Sequence, residues 1–519
     1  MRKFNGWPAT DRKTAPTLRF RQLLLFWALA AILALYLVMA LAYAVLTPLW
    51  ESPDEPAHYN YIRYLIEHRQ FPVLQAQDYD FNYLERIKAA RFPAEMSIDP
   101  IRYEFHQPPL YYVIGAIFAA PWPASAQPMV LRFLSVMIGV LCLYVVFRVV
   151  AEIFPQQPIW SLGATAFAAS VPMHVAMTAA VNNDALAELI LALVLLTLIR
   201  RVCVRYYVTW RSDLLLGLLL GLGLITKTTT YVAIPLTVIV VLAPAVVHCG
   251  RPETDSLSPG LLWRSLLASL ARALGVALLT GLPWFVRNSL VYGGLDILGL
   301  VRHNAIMVEQ PRTADWLARL GSAGLAKEFI FTTFRSFWAQ FGWMGILVDE
   351  RIYMALAVLC ALGVLGFVLF LLRDFAKLAV WQKMCLGLLV TSLFLTLMSY
   401  AWYNSQFVQH QGRYLFPALI PISLFFALGV WTLLDRVYAA HITLLLLAAT
   451  CSIALIQWQQ MGALNKWLLA WLCGAAAAFG FRLLLPSRWE VGLYALVFFG
   501  LWALNVLCLF GFIVPYFQT

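Results

Sequence analysis

The sequence predicts an all-α, polytopic membrane protein with about 13 transmembrane helices. Hydrophobic residues make up 62% of the 519 residues, charged residues only 12%, and the mean hydropathy is +0.76. Soluble globular domains do not have this balance. Apolar runs of about 20 residues, the length that crosses a bilayer, recur along the chain. Each must be helical, because lipid offers no partner for backbone N–H and C=O groups.

The predicted spans follow one another from residue 21 almost to the last residue. The long runs lie at 21–46, 129–150, 159–177, 265–285, 351–373, 381–401, 414–434, 440–458, 465–483 and 489–511. Shorter runs lie at 185–199, 213–226 and 231–247. The first run is too long for a cleaved signal peptide and lacks a small-residue cleavage site, so we expect it to remain as an anchor.

The distribution of Lys and Arg predicts the orientation of the spans. Basic residues dominate segment 1–20 and the loop from Arg200 to Arg211, so both are expected in the cytoplasm. This requires that the short run at 109–122, which contains Pro121, does not cross; we interpret it as a re-entrant or interfacial helix. The alternation then leaves the C-terminus outside.

Two segments are large enough to form outer loops, 47–128 and 286–350. The stretch 47–107 has ten acidic and six basic residues, a net charge of −4, against +11 for the whole chain. The basic excess is therefore a signal of topology and of contact with membrane lipids, and a nucleic-acid partner is not supported. Within the second loop, the aromatic stretch 327–344 predicts a helix lying in the membrane interface.

The densest group of candidate catalytic residues follows the first span. Asp54 and Glu55 are adjacent, between two prolines that predict a stiff turn leading into a helix at 57–67, and His58 follows on the same helical face as Asp54. A carboxylate at a low-dielectric boundary can have its pKa raised enough to act as a general base. The alternative is an ordinary negative charge at a helix N-terminus, stabilised by the helix dipole.

Three cations are expected at the outer ends of spans. Arg287 ends one span, Arg413 begins another just before Tyr414, and Lys227 lies at a break between short helices. A guanidinium group suits a bidentate grip on phosphate oxygens. The alternative is interfacial anchoring, in which a long basic side chain reaches towards lipid headgroups.

Three more polar residues fall on the same predicted side. His106 opens the motif HQPPLYY, whose prolines force an extended entry that directs His106 and the tyrosines of the motif, among them Tyr111, back towards the first loop. Asp184 belongs to NND at the start of a span, where it is either a site residue or an N-cap. Because ionisable groups at membrane depth are costly, one outward-facing cavity explains the whole set economically.

The ordered set of motifs resembles the GT-C membrane glycosyltransferases, in particular the protein O-mannosyltransferase and aminoarabinose transferase group (family 39-like). The matching pieces, over about 21–435, are PDEPAH, HQPPLYY, NNDAL, GLGLITK, PWFVRNSLVYG, FRSFWAQFGWMG and QGRYLFP. PDEPAH, FRSFWAQFGWMG and RYLFP look most like a bacterial branch of this superfamily. The resemblance implies a cytoplasmic segment 1–20, a catalytic module 21–435 and additional helices over 436–519.

The resemblance also implies a chemistry. A sugar would pass, with inversion, from a polyprenyl-phosphate donor to an acceptor of unspecified kind on the outer face of a cell membrane. Asp54 would be the general base, Glu55 would position the loop or substrate, and Lys227, Arg287 and Arg413 would neutralise the departing phosphate. His58, His106, Tyr111, Asp184 and Tyr414 complete the candidate binding set.

No cofactor is expected, although a divalent metal is possible. Oligosaccharyl-transferring relatives hold a metal with spaced acids, whereas this chain has the adjacent Asp-Glu pair of the metal-independent branch. The second acidic pair, Asp349 and Glu350, is interpreted as loop charge.

Two other functions are compatible with these residues. One is a transporter or flippase for lipid-linked sugars, which would favour paired repeats and charges at the bilayer midplane. The other is a non-catalytic lipid-binding relative.

Overall fold

A computed structural model describes residues 15–203, 209–248, 259–307 and 309–518 of the chain. The helices of the first half are α1 (Ala15–Leu46), α2 (Glu55–His68), α3 (Phe81–Ala89), α4 (Leu110–Ala119), α5 (Gln127–Ile153), α6 (Pro158–Ser170), α7 (Pro172–Thr178), α8 (Asp184–Cys203), α9 (Trp210–Leu224) and α10 (Ala233–His248). Those of the second half are α11 (Pro259–Tyr292), α12 (Leu300–Ile306), α13 (Thr313–Trp338), α14 (Glu350–Arg373), α15 (Val380–Asn404), α16 (Leu419–Leu433), α17 (Arg436–Met461), α18 (Lys466–Arg482), α19 (Glu490–Cys508) and α20 (Val514–Gln518). The predicted all-α, multi-pass architecture is confirmed.

The number of helices that could cross a membrane is smaller than the number of spans predicted from the sequence. Within the described ranges, eight helices are long and apolar enough to cross a membrane, or nine if α6 and α7 form one bent span. The predicted count of about 13 is not confirmed. The difference lies largely in α8, which has charges at both ends, and in α9 and α10, which have only 15 and 16 residues.

One predicted straight span, 159–177, is bent. Its two parts, α6 and α7, meet at an angle of 70°. Pro172 lacks the N–H that would continue α6, and it forces Val171 before it into an extended conformation (φ −77°, ψ 111°). The bend carries the chain from α6 towards the outer-loop helices.

About half of the first large loop, 47–128, is helical. It contains α2, α3, a 3₁₀ turn at Tyr103–His106 and α4. The predicted helix at 57–67 is confirmed as α2. α4 has only ten residues, about 15 Å of helix, which is half of what a crossing needs.

The second large loop differs in part from the prediction. A helix was expected over 327–344, but α13 ends at Trp338 and a short antiparallel hairpin follows, β1 (Gln340–Phe341) with β2 (Ile346–Leu347). Gly342, Trp343 and Met344 all have positive φ in the turn between the strands. The Trp343 indole donates a hydrogen bond to the Trp50 carbonyl oxygen (2.9 Å), so a contact with the first loop stabilises the turn.

Segments predicted to share a side of the membrane lie together. At one end of the bundle, ion pairs connect the ends of spans, Arg200 with Glu152 (2.8 Å) and Arg373 with Asp435 (2.5 Å). At the other end, the Arg91 guanidinium of the first loop lies over the Tyr516 ring of α20 (4.7 Å). Which end faces the cytoplasm stays a prediction.

Candidate active site

Asp54 stands at the entrance to α2 in a strained backbone conformation. It has a left-handed φ of 66° as the residue before the helix, a conformation that Asp adopts more readily than most residues. Its two carboxylate oxygens are both engaged. Oδ1 accepts a hydrogen bond from the Tyr103 hydroxyl (2.8 Å), and Oδ2 accepts one from the Arg413 guanidinium (2.5 Å).

Glu55, the next residue, points into the protein interior. Its carboxylate is fully buried and forms a two-pronged ion pair with Arg132 of α5 (2.7 and 2.6 Å). Backbone N–H groups of Trp50 and Val181 also donate to it. Arg132 in turn donates to three carbonyl oxygens at the end of α1, those of Ala44, Thr47 and Pro48. This network fixes the loop that presents Asp54.

Arg413 is a buried cation with unused hydrogen-bonding capacity. Only 6% of the residue is exposed, and it lies in a 3₁₀ turn, Gly412–Ala418, that precedes α16. One nitrogen binds Asp54, but Nε and the other terminal nitrogen are buried without any hydrogen-bond partner. Unsatisfied buried donors are costly, and an anion would satisfy them.

A second ion pair lies beside the first. Lys227, in the break after α9, contacts Asp184 at the start of α8 (2.5 Å). His58 of α2 lies between the two pairs. Burial, reinforced by the charge of Lys227, lowers the pKa of His58 to about 3, so the imidazole is neutral at physiological pH. Its Nδ1 is 2.9 Å from the Tyr112 hydroxyl.

Glu104 is a third carboxylate in the same group. It follows Tyr103 directly, and its Oε2 atom is buried without a hydrogen-bond partner. Burial and the neighbouring charge of Asp54 raise the pKa of Glu104 to about 7, while Lys227 acts in the opposite direction. Glu104 therefore changes charge near neutral pH.

Aromatic rings and amides form the wall on the side of α4. Tyr112 stacks on Tyr61 with ring centres 3.8 Å apart, and the Tyr111 hydroxyl accepts a hydrogen bond from the Asn182 N–H (3.0 Å). Buried side-chain atoms of Asn182 and Asn183 have no hydrogen-bond partner. The ring of Tyr414 lies 5.3 Å from the Arg413 guanidinium.

Two of the predicted residues make their hydrogen bonds elsewhere. The Arg287 guanidinium donates to the carbonyl oxygens of Phe71 and Pro72 after α2. His106 is buried, with Nδ1 3.0 Å from the Tyr103 carbonyl oxygen and its ring 4.4 Å from that of His303. Among the described contacts, neither residue binds Asp54 or Asp184. A part for either in the site stays a prediction.

The predicted direction of one pKa is wrong. Burial alone would raise the pKa of Asp54, as expected from sequence, but the opposing charge of Arg413 outweighs it and lowers the value to about 2. No motif or spacing in the chain indicates that these two residues, 359 positions apart, form an ion pair.

Sequence reasoning overlooked three residues: Tyr103, Glu104 and Arg132. A signal existed for Arg132, because it is an arginine inside a predicted apolar span, where an ionisable residue needs a partner. Glu104 and Tyr103 lie immediately before the HQPPLYY motif, but nothing in their spacing pairs them with Asp54. Only the fold brings them together.

The arrangement is suited to binding an anion next to a group that loses a proton. Buried guanidinium and ammonium groups meet three carboxylates, two of them already paired with cations. Asp349, by contrast, caps α14, and Glu350 pairs with Arg335. Through the described ranges, no three His, Cys, Asp or Glu side chains group as metal ligands would.

Comparison with known proteins supports the predicted resemblance. The family model described as dolichyl-phosphate-mannose-protein mannosyltransferase matches residues 106–251, a stretch that includes His106, Tyr111, Asp184 and Lys227. No curated protein matches the chain. The resemblance to GT-C membrane glycosyltransferases of the mannosyltransferase and ArnT type is thereby confirmed for the fold and for this part of the sequence.

Three of the solved structures that match the chain illustrate the range of similarity. ArnT from Cupriavidus metallidurans, bound to undecaprenyl phosphate, is 14% identical with a TM-score of 0.50; the match covers 93% of this chain and 76% of that one. The Archaeoglobus fulgidus oligosaccharyltransferase, with zinc and sulfate, is 15% identical with a TM-score of 0.41, over 86% and 53%. The S. cerevisiae protein O-mannosyltransferase Pmt1-Pmt2 complex, bound to the sugar donor, is 14% identical with a TM-score of 0.37, over 50% and 33%.

Proposed function

We propose, from the resemblance of this chain to GT-C membrane glycosyltransferases, that it transfers a sugar with inversion from a polyprenyl-phosphate donor to an acceptor on the outer face of the membrane. The single observation that carries the proposal is Arg413. It is a buried guanidinium with two unused nitrogens, paired with Asp54 and close to Asp184, the partner of Lys227. ArnT, which has a similar fold, binds a polyprenyl phosphate.

Arg413 and Lys227 are proposed to hold the donor phosphate. Negative charge builds on the phosphate as the bond to the sugar breaks, and buried cations stabilise that charge most where water is excluded. Nε and Nη1 of Arg413 are free to donate to phosphate oxygens, and displacement of Asp54 from Nη2 would complete a two-pronged fork. Tyr414, beneath the guanidinium, would keep its plane oriented. Arg287 is proposed to support the site indirectly, through its hydrogen bonds to the carbonyl oxygens of Phe71 and Pro72.

Asp54 is proposed as the carboxylate that faces the reacting groups. In the structure the charge of Asp54 is neutralised by the Arg413 guanidinium. A bound phosphate would compete for this guanidinium, so Asp54 would lose part of its counter-charge when the donor arrives and become a stronger hydrogen-bond acceptor for the acceptor group. Glu55, bound to Arg132, is proposed to position the loop without touching the substrate.

The remaining residues are proposed to recognise the sugar and to orient the cations. Asp184 would hold Lys227, and neutral His58 would exchange hydrogen bonds with sugar hydroxyls together with Asn182 and Asn183. His106 and Tyr111 would form the wall behind them. The acceptor is left open, because no motif in the chain encodes its chemistry.

Donor turnover by the purified protein in lipid vesicles tests the proposal. A panel of radiolabelled polyprenyl-phosphate sugars would be offered with an extract of cell-envelope acceptors, and transfer and donor hydrolysis would be measured. We expect the wild type to release sugar from at least one donor. We expect Asp54→Asn to lose at least about 100-fold in rate while still binding that donor, since the change removes charge but little volume.

An exposed aspartate in the same loop provides a matched control. Asp80 caps α3, and an Asn there can cap as well, so Asp80→Asn should keep wild-type turnover. If both wild type and Asp54→Asn bind the donor and neither turns it over, a flippase or a non-catalytic binding protein becomes the better reading. Movement of the donor across the vesicle membrane would then identify the flippase.

A further inference from the structure

We propose that Tyr103 is a positioning residue of the catalytic base: its hydroxyl holds Oδ1 of Asp54, so that Oδ2 takes the proton of the acceptor once the donor phosphate has engaged Arg413. This inference rests on the proposed transferase function and keeps Asp54 as the base. It assigns a role to a residue that lies outside the motifs by which the chain is recognised.

The first argument is that the two hydrogen bonds to Asp54 come from partners of different kinds. The Tyr103 hydroxyl donates to Oδ1 (2.8 Å), and the Arg413 guanidinium donates to Oδ2 (2.5 Å). Arg413 has two further buried donors, which a phosphate would engage under the proposed function. Among the contacts described for the chain, the Tyr103 hydroxyl donates to Asp54 alone. The bond from Tyr103 is therefore the one that remains when the donor arrives.

The second argument is that Tyr103 is attached to the helix that begins beside Asp54. Asn60 of α2 is buried, and its side-chain amide donates to the carbonyl oxygens of Ile98 (2.7 Å) and Ile101 (2.8 Å). The 3₁₀ turn that starts at Tyr103 follows directly. The hydroxyl and the carboxylate thus lie on one packed unit, which is how a supporting residue keeps a catalytic group in a productive orientation.

The third argument is that Tyr103 can act only as a donor. Burial and the charge of Asp54 hold the pKa of Tyr103 well above its ordinary value, so the hydroxyl keeps its proton at physiological pH. A hydrogen bond donated to a carboxylate favours its ionised form. Against the effect of burial, Arg413 contributes most to lowering the pKa of Asp54, and the bond from Tyr103 adds to it. The titratable and charged groups that face Asp54 are His58, Tyr103, Glu104, Tyr403, Arg413 and Tyr414.

The proposed step balances without any further reactant. For an acceptor hydroxyl, the O–H bond breaks and its proton passes to Oδ2 of Asp54, while Tyr103 stays on Oδ1. The electron pair of the O–H bond forms the new bond from oxygen to the anomeric carbon. The bond from the anomeric carbon to the phosphate oxygen breaks, and its electron pair leaves with the polyprenyl phosphate, next to Arg413 and Lys227.

Tyr103→Phe tests the assignment, because it removes the hydroxyl and keeps the ring. With the donor panel in vesicles, we expect kcat to fall about 10-fold, the equivalent of one hydrogen bond to a charged group. Donor affinity should stay within about threefold, because the hydroxyl binds the base and leaves the phosphate to the cations.

The pH profile of kcat gives a second measurement, which a purely structural role would not change. Only ionised Asp54 can take a proton, so kcat falls as the pH falls through its pKa. Loss of a donor to the carboxylate raises that pKa, and we expect the acid limb of Tyr103→Phe to lie about one pH unit higher than that of the wild type. Any step from Glu104, whose pKa is about 7, should remain in place.

A tyrosine in the same loop and a double-mutant cycle provide the controls. The Tyr83 hydroxyl donates to the Ser97 carbonyl oxygen, so Tyr83→Phe should keep the wild-type kcat and pH profile. In the Asp54→Asn background, Tyr103→Phe should change the residual rate less than twofold, since Tyr103 acts through the carboxylate.

The outcomes separate this inference from the function on which it rests. The role of Tyr103 is wrong if Tyr103→Phe keeps more than half of the wild-type kcat with an unmoved acid limb. It is also wrong if the change costs as much rate beside Asp54→Asn as in the wild type, or if it weakens donor binding and leaves kcat unchanged. If the wild type binds donor and turns over none of the panel, the transferase proposal itself fails. An active wild type with an inactive Asp54→Asn and an unaffected Tyr103→Phe disproves the role of Tyr103 alone.

Discussion

At the scale of single residues, the guanidinium of Arg413 is the most informative group. It binds Asp54 with one nitrogen and leaves two buried nitrogens unused. Leaving buried donors unpaired costs on the order of 1–3 kcal/mol each, which a folded protein rarely tolerates without a ligand to compensate. Under the proposed function, Asp54 occupies the position on Arg413 that the donor phosphate would take.

Replacing the Arg413 guanidinium by the single ammonium group of a lysine should weaken donor binding. For Arg413→Lys we expect the affinity for a polyprenyl-phosphate sugar to fall by about 10- to 100-fold, the equivalent of one lost charged hydrogen bond. Equilibrium binding of radiolabelled donor to protein in vesicles measures it. Arg351→Lys is the control, because Arg351 is more than half exposed at the start of α14 and should bind donor as the wild type does.

The residues found from sequence were those in recognisable motifs. PDEPAH and QGRYLFP directed attention to Asp54 and Arg413, but the pairing between them requires the fold. The pKa of Asp54 was predicted in the wrong direction for the same reason, since burial could be inferred from sequence and the counter-charge could not. Glu104 belongs to no motif, and its unpartnered oxygen is a property of three-dimensional packing.

At the scale of secondary-structure elements, the site depends on how the 3₁₀ turn at Gly412–Ala418 docks on α13. The Gly412 N–H donates to the Ser336 hydroxyl (2.7 Å). A Cβ atom at position 412 would lie 2.2 Å from the Phe337 backbone nitrogen and 2.4 Å from the Thr333 carbonyl oxygen. Only glycine permits this close approach to the α13 backbone. The approach sets the position of Arg413 relative to α2.

Gly412→Ala should therefore destabilise the protein and displace Arg413. Backbone atoms cannot give way as a flexible side chain can, so we expect a loss of about 1–3 kcal/mol, with weaker donor binding. Thermal unfolding in detergent measures the first effect. Gly387→Ala in α15 is the control, because a Cβ there meets open space and alanine favours the helix. Equal unfolding temperatures for the two variants would contradict the docking argument.

The helices and the hairpin also show which parts of the secondary structure can be predicted from apolar runs in the sequence. Long apolar runs such as α14 and α17 were predicted nearly to their ends, because lipid imposes helix on any such run. The bend at Pro172 and the hairpin after α13 were not predicted. In the hairpin, the contact from Trp343 to Trp50 decides the conformation, and such a contact between distant loops leaves no trace in local sequence.

At the scale of the whole molecule, the proposed reaction requires the outer loops to face away from the cytoplasm. Glu95, exposed in the first loop, and Lys377, exposed between α14 and α15, are predicted to lie on opposite sides of the membrane. In intact cells, an impermeant maleimide should label Glu95→Cys above the wild-type background. It should label Lys377→Cys only after the cells are opened. The reverse pattern would place the site in the cytoplasm.

The ion pair between Asp54 and Arg413 has a consequence for the synthesis of the protein. The two residues are 359 positions apart, so most of the helices must already be in the membrane before the second partner leaves the ribosome. Until then Asp54 has no arginine beside it and the phosphate has no complete binding group. Under the proposed function, we therefore expect a nascent or truncated chain that contains every motif up to GLGLITK to be inert, so that lipid-linked sugars are not consumed prematurely during membrane insertion.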